Sequence, residues 1–302
     1  MQWPIFDIFF TGPVREHLVR AIDEALEEDG PDLTSNAVFS PSSALRATIT
    51  AKEGTLVAGL PIARLVLEAT ASLEAGEWTA DCFVKDGDAV APGTRVCEIS
   101  GSARVILRAE RVILNFLCHM SGIANLTARY VEALGNTGVK LLDTRKTLPG
   151  LRYPEKYAVL VGGGHNHRKN LGEILMLKDN HVDASGGITG AVARLRAAYA
   201  PCPPIEVECR TLDEVREAVY ANVERIMLDN MPTDMMCEAL GLIPDQQEVE
   251  ISGGVSLDSI GRVAEDICRQ SSRKPDFISV GRLTHSAPYA DFSMRIWKDD
   301  TL

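Results

Sequence analysis

The sequence predicts a two-domain α/β protein whose C-terminal half is an incomplete α/β barrel. At 302 residues the chain is long for one core and suggests about two domains. After residue 138, short apolar runs alternate with amphipathic helical patterns, which is typical of βαβ units and a parallel sheet. Polar residues or glycines follow each apolar run, as they do at the mouth of α/β barrels.

The composition is that of a globular protein with an acidic balance. A net charge of −11 argues against a nucleic-acid partner and means that a site for anions must be built locally. Seven cysteines without C-x-x-C spacing are typical of thiols in a reducing compartment, so we predict a cytoplasmic location. We expect no membrane association, because no apolar run approaches the ~20 residues of a membrane-spanning helix.

The N-terminal third combines helical patterns with short strands. Apolar positions recur with a helical period over residues 14–28, a strand, turn and strand follow from residue 46, and residues 61–67 indicate a short helix. Over residues 78–99, Gly87 and Gly93 separate short strands, as in small β modules that carry lipoyl or biotinyl groups on a lysine. Lys85 lies beside a turn and not at a hairpin tip, so a structural hairpin is the favoured interpretation.

A long amphipathic helical pattern over residues 102–134 connects the two halves of the chain. We expect Ser121 and Gly122 to kink or divide it, which makes this helix the natural hinge between domains. Arg111 lies within its apolar stripe, and the plainest interpretation is an exposed cation paired with Glu110 or a neighbour.

Six continuous apolar runs predict the strands of the parallel sheet, and such runs fit strands that are covered on both faces. The predicted strands are residues 139–142, 174–177, 205–207, 226–228, 249–251 and 277–280. The helical patterns between them include residues 188–199, 212–220, 234–240 and 257–269. Because six strands are visible instead of eight, we expect an incomplete barrel.

Every predicted strand ends in residues that can bind ligands. In chain order these are Arg145 and Lys146, then Lys178, Glu208, Asp229, the run Ser252, Gly253 and Gly254, and finally Gly281. His167 and Arg168 follow three consecutive glycines, which we expect to turn the chain so that both side chains reach the mouth. We expect Glu208 to face the mouth and Glu206 to lie on the other face of the same strand.

The predicted mouth suits a polyanionic ligand. Arginines bind carboxylates and phosphates through paired contacts, and lysines supply point charges. Glu208 and Asp229 suit Mg²⁺ that also binds pyrophosphate oxygens, and the glycines of the last two strands suit a phosphate monoester. These features together indicate phosphoribosyl transfer to an acidic heterocycle. The sequence has neither a P-loop nor a G-x-G-x-x-G motif after a first strand, which disfavours a kinase or a Rossmann dehydrogenase.

The chain resembles the quinolinate phosphoribosyltransferase family over almost its whole length. The matching segments are weak individually and specific together. They include Ala109-Glu110-Arg111, Thr144-Arg145-Lys146-Thr147, Gly162-Gly163-Gly164 with His167-Arg168, Lys178-Asp179-Asn180-His181, Glu206-Val207-Glu208, Leu228-Asp229-Asn230, Ser252-Gly253-Gly254 and Ser279-Val280-Gly281. Asn125 departs from the family pattern, which more often has a small or hydroxyl residue there.

The resemblance implies a fold, a reaction and an assembly. It implies an N-terminal α/β sandwich domain over residues 1–115, joined by residues 286–302, and an open six-stranded α/β barrel over residues 116–285. The implied enzyme joins quinolinate to phosphoribosyl pyrophosphate with Mg²⁺ and releases nicotinate mononucleotide, pyrophosphate and CO₂ in NAD biosynthesis. The resemblance also implies a homodimer or a higher homo-oligomer.

The resemblance further assigns roles to the cationic residues. Arg145, His167 and Arg168 would face the quinolinate carboxylates. Lys146 and Lys178 would lie nearby, would also meet phosphoribosyl pyrophosphate and would act as catalytic residues.

The remaining implied roles concern the carboxylates, the glycine turns and a shared arginine. Glu208 and Asp229 would act in catalysis and would hold the metal or the ribose hydroxyls. Arg111 would enter the site of a partner subunit across the dimer interface. The 5′-phosphate would be received by Ser252, Gly253, Gly254 and Gly281.

Three alternatives stay open from the sequence alone. His165 and His167 have a spacing that suits metal ligands, although no paired cysteine or carboxylate lies near them in the sequence. A related phosphoribosyltransferase of the same fold would use nicotinate or another acid. A metabolite-binding or transport-associated protein on this fold would have lost catalysis. Against this argue the intact candidate catalytic residues Lys146, Lys178, Glu208 and Asp229.

Overall fold

The computed structural model describes residues 4–298, which form two compact units. The first unit contains the described residues up to Thr127, together with residues 147–163 and those from Ser286 onward. The second unit contains residues 128–146 and 164–285. No helix of the described residues combines the length and the apolar character needed to cross a membrane. The cytoplasmic location stays a prediction.

The chain begins with helices and an antiparallel region and continues with alternating strands and helices. Up to the long helix the elements are α1 (Pro4–Phe9), α2 (Gly12–Asp29), α3 (Leu33–Val38), β1 (Ala44–Ala51), β2 (Thr55–Leu56), α4 (Leu60–Glu74), β3 (Trp78–Cys82), β4 (Ala89–Val90), β5 (Arg95–Ser102) and α5 (Ala103–Leu134). After it come a 3₁₀ turn (Gly135–Thr137), β6 (Lys140–Leu142), α6 (Arg152–Val161), β7 (Leu175–Leu177), α7 (Asp179–Ser185), α8 (Ile188–Ala198), β8 (Ile205–Cys209), α9 (Leu212–Tyr220), β9 (Arg225–Asp229), α10 (Thr233–Leu242), β10 (Glu248–Ser252), α11 (Leu257–Gln270), β11 (Phe277–Ser279), α12 (Arg282–His285) and β12 (Phe292–Lys298).

The first unit is built around an antiparallel sheet with the strand order β12-β1-β5-β3. Helix α2 confirms the helix predicted from the apolar period of residues 14–28. Leu18, Ile22 and Leu26 recur every fourth residue on one face and are fully buried. The helix ends where Gly30 takes a φ of 69°, a conformation that glycine adopts without strain.

The second unit contains the predicted parallel sheet. Its strand order is β6-β11-β10-β9-β8-β7, all neighbouring strands are parallel, and helices connect them. The barrel is open between β6 and β7, where the exposed edge of β6 forms one bridge, between Leu142 and His165. The predicted open six-stranded α/β barrel is confirmed, because continuous apolar runs such as 226–228 become strand interiors buried on both faces.

The expectation that Ser121 and Gly122 break the long helix was wrong. Helix α5 runs without interruption from Ala103 to Leu134. A side chain at Gly122 would collide with the backbone oxygen of Pro288, and nearby the Ala290 N–H donates to the Cys118 carbonyl at 3.0 Å. Gly122 therefore allows two backbone segments to pack closely together, and it does not kink the helix.

We predict that Gly122→Ala lowers the free energy of unfolding by about 3 kcal/mol, because the new methyl group must displace the 288–290 backbone. Chemical denaturation of the intact chain measures the change. Gly241→Ala is the matched control, since a Cβ at this glycine of α10 meets nothing within 4 Å. It should stabilise the chain by about 0.5–1 kcal/mol, as helical propensity requires. Equal effects of the two substitutions would contradict the packing argument.

Candidate active site

Two cavities with shared walls lie at the carboxyl ends of the parallel strands. The strand-end cavity has a volume of about 450 Å³ and is lined by Thr144, Arg145, Lys146, His167, Arg168, Met176, Lys178, Glu208, Met227, Asp229, Asn230, Glu250, Ser252 and Ser279. The glycine cavity has a volume of about 390 Å³ and is lined by Lys146, Asp229, Ser252, residues 253–256, Gly281, Arg282 and their neighbours. Every predicted site residue except Arg111 lines one or both of them.

Arg111 lies in the first unit, exposed on α5 beside the buried Val112 and Ile113. The ion pairs found among the described residues include no partner for it, so the expected pairing with Glu110 is not among them. A larger groove of about 750 Å³ also lies in the first unit, between α2 and α4. It is a poor candidate for a site that binds polyanions, because its lining contains three carboxylates against two arginines and none of the predicted residues.

Lys146 lies on the wall that the two cavities share. Its backbone is held from two sides: its N–H donates to Thr144 Oγ1 at 3.0 Å, and its carbonyl accepts from Thr284 Oγ1 at 2.7 Å. A Cβ at Gly281 would stand 2.9 Å from Lys146 Cδ. Gly281 therefore leaves the space through which the lysine side chain reaches the cavities.

Lys178 and Glu208 form an ion pair at the rim of the strand-end cavity. Lys178 Nζ lies 2.9 Å from Glu208 Oε2, and the carboxylate is the more shielded member, with 13% of its side chain exposed against 46% for the lysine. The pair forms because β7 and β8 are neighbours in the sheet and each residue lies at the carboxyl end of its strand. The Lys178 N–H donates to His181 Nδ1 at 3.1 Å, which fixes the start of α7.

Asp229 and the turn after β10 meet at the glycine cavity. Asp229 lies opposite Ser252 in the parallel register, and the Asn230 N–H donates to the Ser252 carbonyl at 2.9 Å. A Cβ at Gly253 would collide with Asn230 Oδ1, and Gly254 has a φ of 66°. Gly253 therefore has no room for a side chain, Gly254 takes a conformation that favours glycine, and the turn leaves its backbone uncovered.

The segment that carries His167 and Arg168 is fixed to β6 by a buried carboxylate. Asp143, which is fully buried, accepts from the His167 N–H at 2.8 Å and from Asn166 Nδ2 at 2.8 Å. The Asp143 N–H in turn donates to the His165 carbonyl at 3.0 Å. Asp143 directly follows the predicted strand 139–142, but no feature of the sequence indicated this positioning role.

The ring of His167 accepts one hydrogen bond, and its other nitrogen lies close to two buried carboxyls. Nδ1 accepts from the Arg168 N–H at 2.9 Å, so a neutral ring carries its proton on Nε2. Nε2 lies 2.9 Å from Glu206 Oε2 and 3.4 Å from Glu250 Oε2. The Arg168 guanidinium donates from Nη1 to the Ile174 carbonyl at 2.8 Å, which holds this arginine at the cavity wall.

The expected orientation of Glu206 was wrong. Residues two apart on a strand share a face, so Glu206 points the same way as Glu208 and lies deeper inside the barrel. Glu206 and Glu250 are both fully buried, and Arg225 approaches Glu250 Oε2 to 3.4 Å. Sequence reasoning therefore missed a buried acidic cluster beneath the cavity, for which the only signal was a charged residue inside each of two apolar strands.

Burial raises the pKa of Glu206 to about 7 and the pKa of Glu250 to about 8. The nearby Glu206 carboxylate further raises the pKa of Glu250. Burial and then the Arg145 guanidinium lower the pKa of Arg168, which still remains a cation at neutral pH. Burial thus favours the neutral form of both carboxyls in the barrel interior, beneath a cationic cavity wall.

Two groups of residues offer metal-ligand atoms. His167, Glu206 and Glu250 have ligand atoms within 4.8 Å of one another, but the Arg225 guanidinium already approaches this cluster, and the raised pKa values of both carboxyls disfavour the ionised forms that bind metals. Glu208 and Asp229 lie at the cavity wall and keep partial exposure to solvent. Two such carboxylates are the donor set with which Mg²⁺ binds together with substrate phosphates.

The fold and this site together define a phosphoribosyl-transfer enzyme built on an open α/β barrel. Residues 32–121 match the family model described as quinolinate phosphoribosyl transferase, N-terminal domain, and residues 123–295 match the model of its C-terminal domain. The chain belongs to the quinolinate phosphoribosyltransferase family.

Curated relatives from distant bacteria cover almost the whole chain. It is 39% identical over 272 residues to the probable nicotinate-nucleotide pyrophosphorylase (carboxylating) of Bacillus subtilis, covering 90% of each protein. It is 36% identical over 283 residues to the nicotinate-nucleotide pyrophosphorylase (carboxylating) of Mycobacterium leprae, covering 93% of this chain and 96% of that one.

Solved structures agree with this assignment. NadC from Streptococcus pyogenes is 41% identical and has a TM-score of 0.86, with 96% of this chain and all of that chain covered. The nicotinate-nucleotide pyrophosphorylase of Francisella tularensis is 31% identical, with a TM-score of 0.85 and coverage of 96% and 99%. Human nicotinic acid phosphoribosyltransferase has a TM-score of 0.58, and at 13% identity it shares the fold alone.

Proposed function

We propose that this protein transfers the phosphoribosyl group of phosphoribosyl pyrophosphate to quinolinate and releases pyrophosphate and CO₂. The product is nicotinate mononucleotide, a precursor of NAD. One observation carries the proposal: in a chain of this family, the cations, the two carboxylates and the glycine turns all line two cavities with shared walls.

The cationic wall of the strand-end cavity suits a dicarboxylate. Arg145 and Arg168 line it, and a planar guanidinium binds a carboxylate through two parallel hydrogen bonds. His167 supports Arg168 through the hydrogen bond from the Arg168 N–H to its Nδ1. Direct contact between His167 and a substrate carboxylate stays a prediction.

The glycine cavity suits the 5′-phosphate of the ribose. Gly253, Gly254 and Gly281 leave it without side chains at three points of its wall, and the last two strands end there. Phosphates at this position of α/β barrels commonly bind backbone N–H groups. Lys146, on the shared wall, then stands between the phosphate and the acceptor ring.

We propose that Glu208 and Asp229 hold Mg²⁺, which when bound neutralises charge on the pyrophosphate and makes it a better leaving group. The same two carboxylates stabilise the positive charge that develops at the anomeric carbon. Lys146 and Lys178 attract the departing pyrophosphate. When CO₂ leaves C2 of the ring, the electron pair of the broken C–C bond remains on C2, where the adjacent ribosylated, cationic pyridine nitrogen stabilises it, and C2 then takes up a proton. An organic cofactor is therefore not required.

The test is product formation with each reactant omitted in turn. Nicotinate mononucleotide and pyrophosphate should appear together only when quinolinate, phosphoribosyl pyrophosphate and Mg²⁺ are all present, and EDTA should stop the reaction. Nicotinate replaces quinolinate in a parallel assay. Turnover of nicotinate but not of quinolinate would show a different acceptor, and binding of both substrates without product would indicate a binding protein.

We further propose a homodimer or higher homo-oligomer in which Arg111 serves the site of a partner subunit. Its exposure on α5 within an otherwise buried stretch supports this role. Arg111→Ala and Lys178→Ala should each abolish activity, whereas a refolded equal mixture should recover about a quarter of the wild-type rate. That value follows because half of the dimers are mixed and each mixed dimer has one intact site.

The control for this mixing experiment combines Lys146→Ala with Lys178→Ala. Both residues line one cavity of one chain, so this mixture should remain inactive. Equal recovery in both mixtures, or recovery in neither, would argue against sharing of Arg111 across an interface.

A further inference from the structure

Two cysteines face each other on neighbouring strands of the first unit. Cys82 on β3 and Cys97 on β5 are directly opposite in the antiparallel register, and their sulfur atoms are 3.2 Å apart in a hydrogen bond. Opposite residues of antiparallel strands have Cα atoms about 4.5–5.5 Å apart, a separation that a disulfide can span. No large backbone movement is therefore needed to join these two sulfurs.

The surroundings distinguish the two thiols. Arg64 donates from Nη2 to the Ala80 carbonyl at 2.7 Å, and its buried Nε has no hydrogen-bond partner among the described residues. The hydrogen bond with Cys97 lowers the pKa of Cys82 and the charge of Arg64 lowers it further, although burial opposes both. The same hydrogen bond and burial raise the pKa of Cys97. Cys82 is thus the better nucleophile of the pair.

Solvent exposure also indicates that Cys82 is the thiol that reacts first. β3 is an edge strand of the sheet, and Cys82 is partly exposed on it, whereas Cys97 on the inner strand β5 is fully buried. A small oxidant therefore reaches Cys82 first, and Cys97 is held where it can attack the oxidised sulfur.

We propose that Cys82 and Cys97 form a modification site at which hydrogen peroxide produces an intramolecular disulfide. In the first step the Cys82 thiol loses its proton, the thiolate attacks one peroxide oxygen, and the O–O bond breaks to give a sulfenic acid and hydroxide, which takes up the released proton to form water. In the second step the Cys97 sulfur attacks the Cys82 sulfur, the S–O bond breaks, and the hydroxyl leaves as water with the Cys97 proton. Peroxide is reduced by two electrons, and the two thiols are oxidised to one disulfide.

Peptide mapping after mild oxidation tests the proposal, because trypsin separates the two cysteines. Cleavage after Arg64, Lys85, Arg95 and Arg104 places Cys82 in peptide 65–85 and Cys97 in peptide 96–104. The intact protein is treated with a few equivalents of peroxide, remaining thiols are alkylated, and the digest is analysed by mass spectrometry. We expect the two peptides to be joined and the joined species to be lighter by two hydrogens than its separate parts.

Three variants serve as controls. Cys82→Ser should abolish the joined species, and Cys268→Ser, which removes an exposed thiol elsewhere, should leave its yield unchanged. Arg64→Lys keeps a cation and should form the disulfide faster than Arg64→Gln, which removes it. Oxidation of Cys82 to its sulfinic acid without any joined peptide overturns the proposal. A joined peptide that appears equally in urea-unfolded protein also overturns it, because folding would then not direct the pairing.

Discussion

Lys146→Ala is expected to lower kcat/KM by about 10²–10³-fold, equivalent to roughly 3–4 kcal/mol of transition-state stabilisation. The reason is the position of this side chain on the wall between the strand-end cavity and the glycine cavity, where Lys146 is the one cation among the described residues that line both. The loss should appear in kcat as well as KM, because charge on the departing pyrophosphate is greatest in the transition state. Steady-state rates over a range of both substrates measure the two parameters separately.

Two further variants show whether position or charge is responsible. Lys169→Ala removes a cation whose Nζ lies 3.8 Å from Glu173, outside both cavities, and it should change kcat/KM by less than about threefold. Lys146→Arg keeps the charge but alters its geometry, and its kcat/KM should lie between the values of the wild type and of Lys146→Ala. An alanine variant that affects only KM would place Lys146 in substrate binding and not in catalysis.

The residues at the mouth of the barrel could be predicted from the sequence because their position depends only on the local sequence pattern. Each strand is a continuous apolar run, and the residue that follows the run must lie at the carboxyl edge of the sheet. Lys178 and Glu208 were each assigned to the mouth in this way, and the structure joins them at 2.9 Å in an ion pair that was not predicted. Chain periodicity therefore identified the edge of the sheet on which both residues lie, without any information on tertiary contacts.

The features that escaped prediction depend on contacts between distant parts of the chain. Gly122 looked like a helix breaker, but its role is set by Pro288, 166 residues later. Glu206 and Glu250 lie on different strands and become a pair only when β8, β9 and β10 align in the sheet. Asp143 directly follows a predicted strand, yet its hydrogen bonds reach residues 166 and 167, more than twenty positions later.

The free energy of unfolding is expected to fall as the pH rises from 5 to 8, and Glu250→Gln should remove much of this fall. The pKa of Glu250 is about 8 and that of Glu206 about 7 in the folded chain, against an ordinary value of 4.5. Above pH 4.5 the unfolded chain releases these protons while the folded chain retains them. Because the folded state then binds more protons, stability declines with rising pH until the folded pKa is passed.

The expected change in the free energy of unfolding with pH is large, because each unit of pKa shift corresponds to about 1.4 kcal/mol. These two buried carboxyls together therefore account for several kcal/mol. Glutamine keeps the shape and cannot ionise, so Glu250→Gln should be more stable than wild type at pH 8 and close to it at pH 5. The transition temperature measured at half-unit pH steps by calorimetry gives the two curves.

The alternative explanation is that any loss of a carboxylate beside Arg225 has this effect. Glu248→Gln tests it, because Glu248 also binds Arg225, with its Oε2 2.7 Å from Nη2, but lies at the exposed end of the same strand. If this variant flattened the pH dependence as much as Glu250→Gln, the arginine contact would be the cause. If only Glu250→Gln does so, the cause is the buried proton. The cationic wall that we propose for the dicarboxylate then rests on carboxyls that are kept neutral, so that they do not cancel its charge.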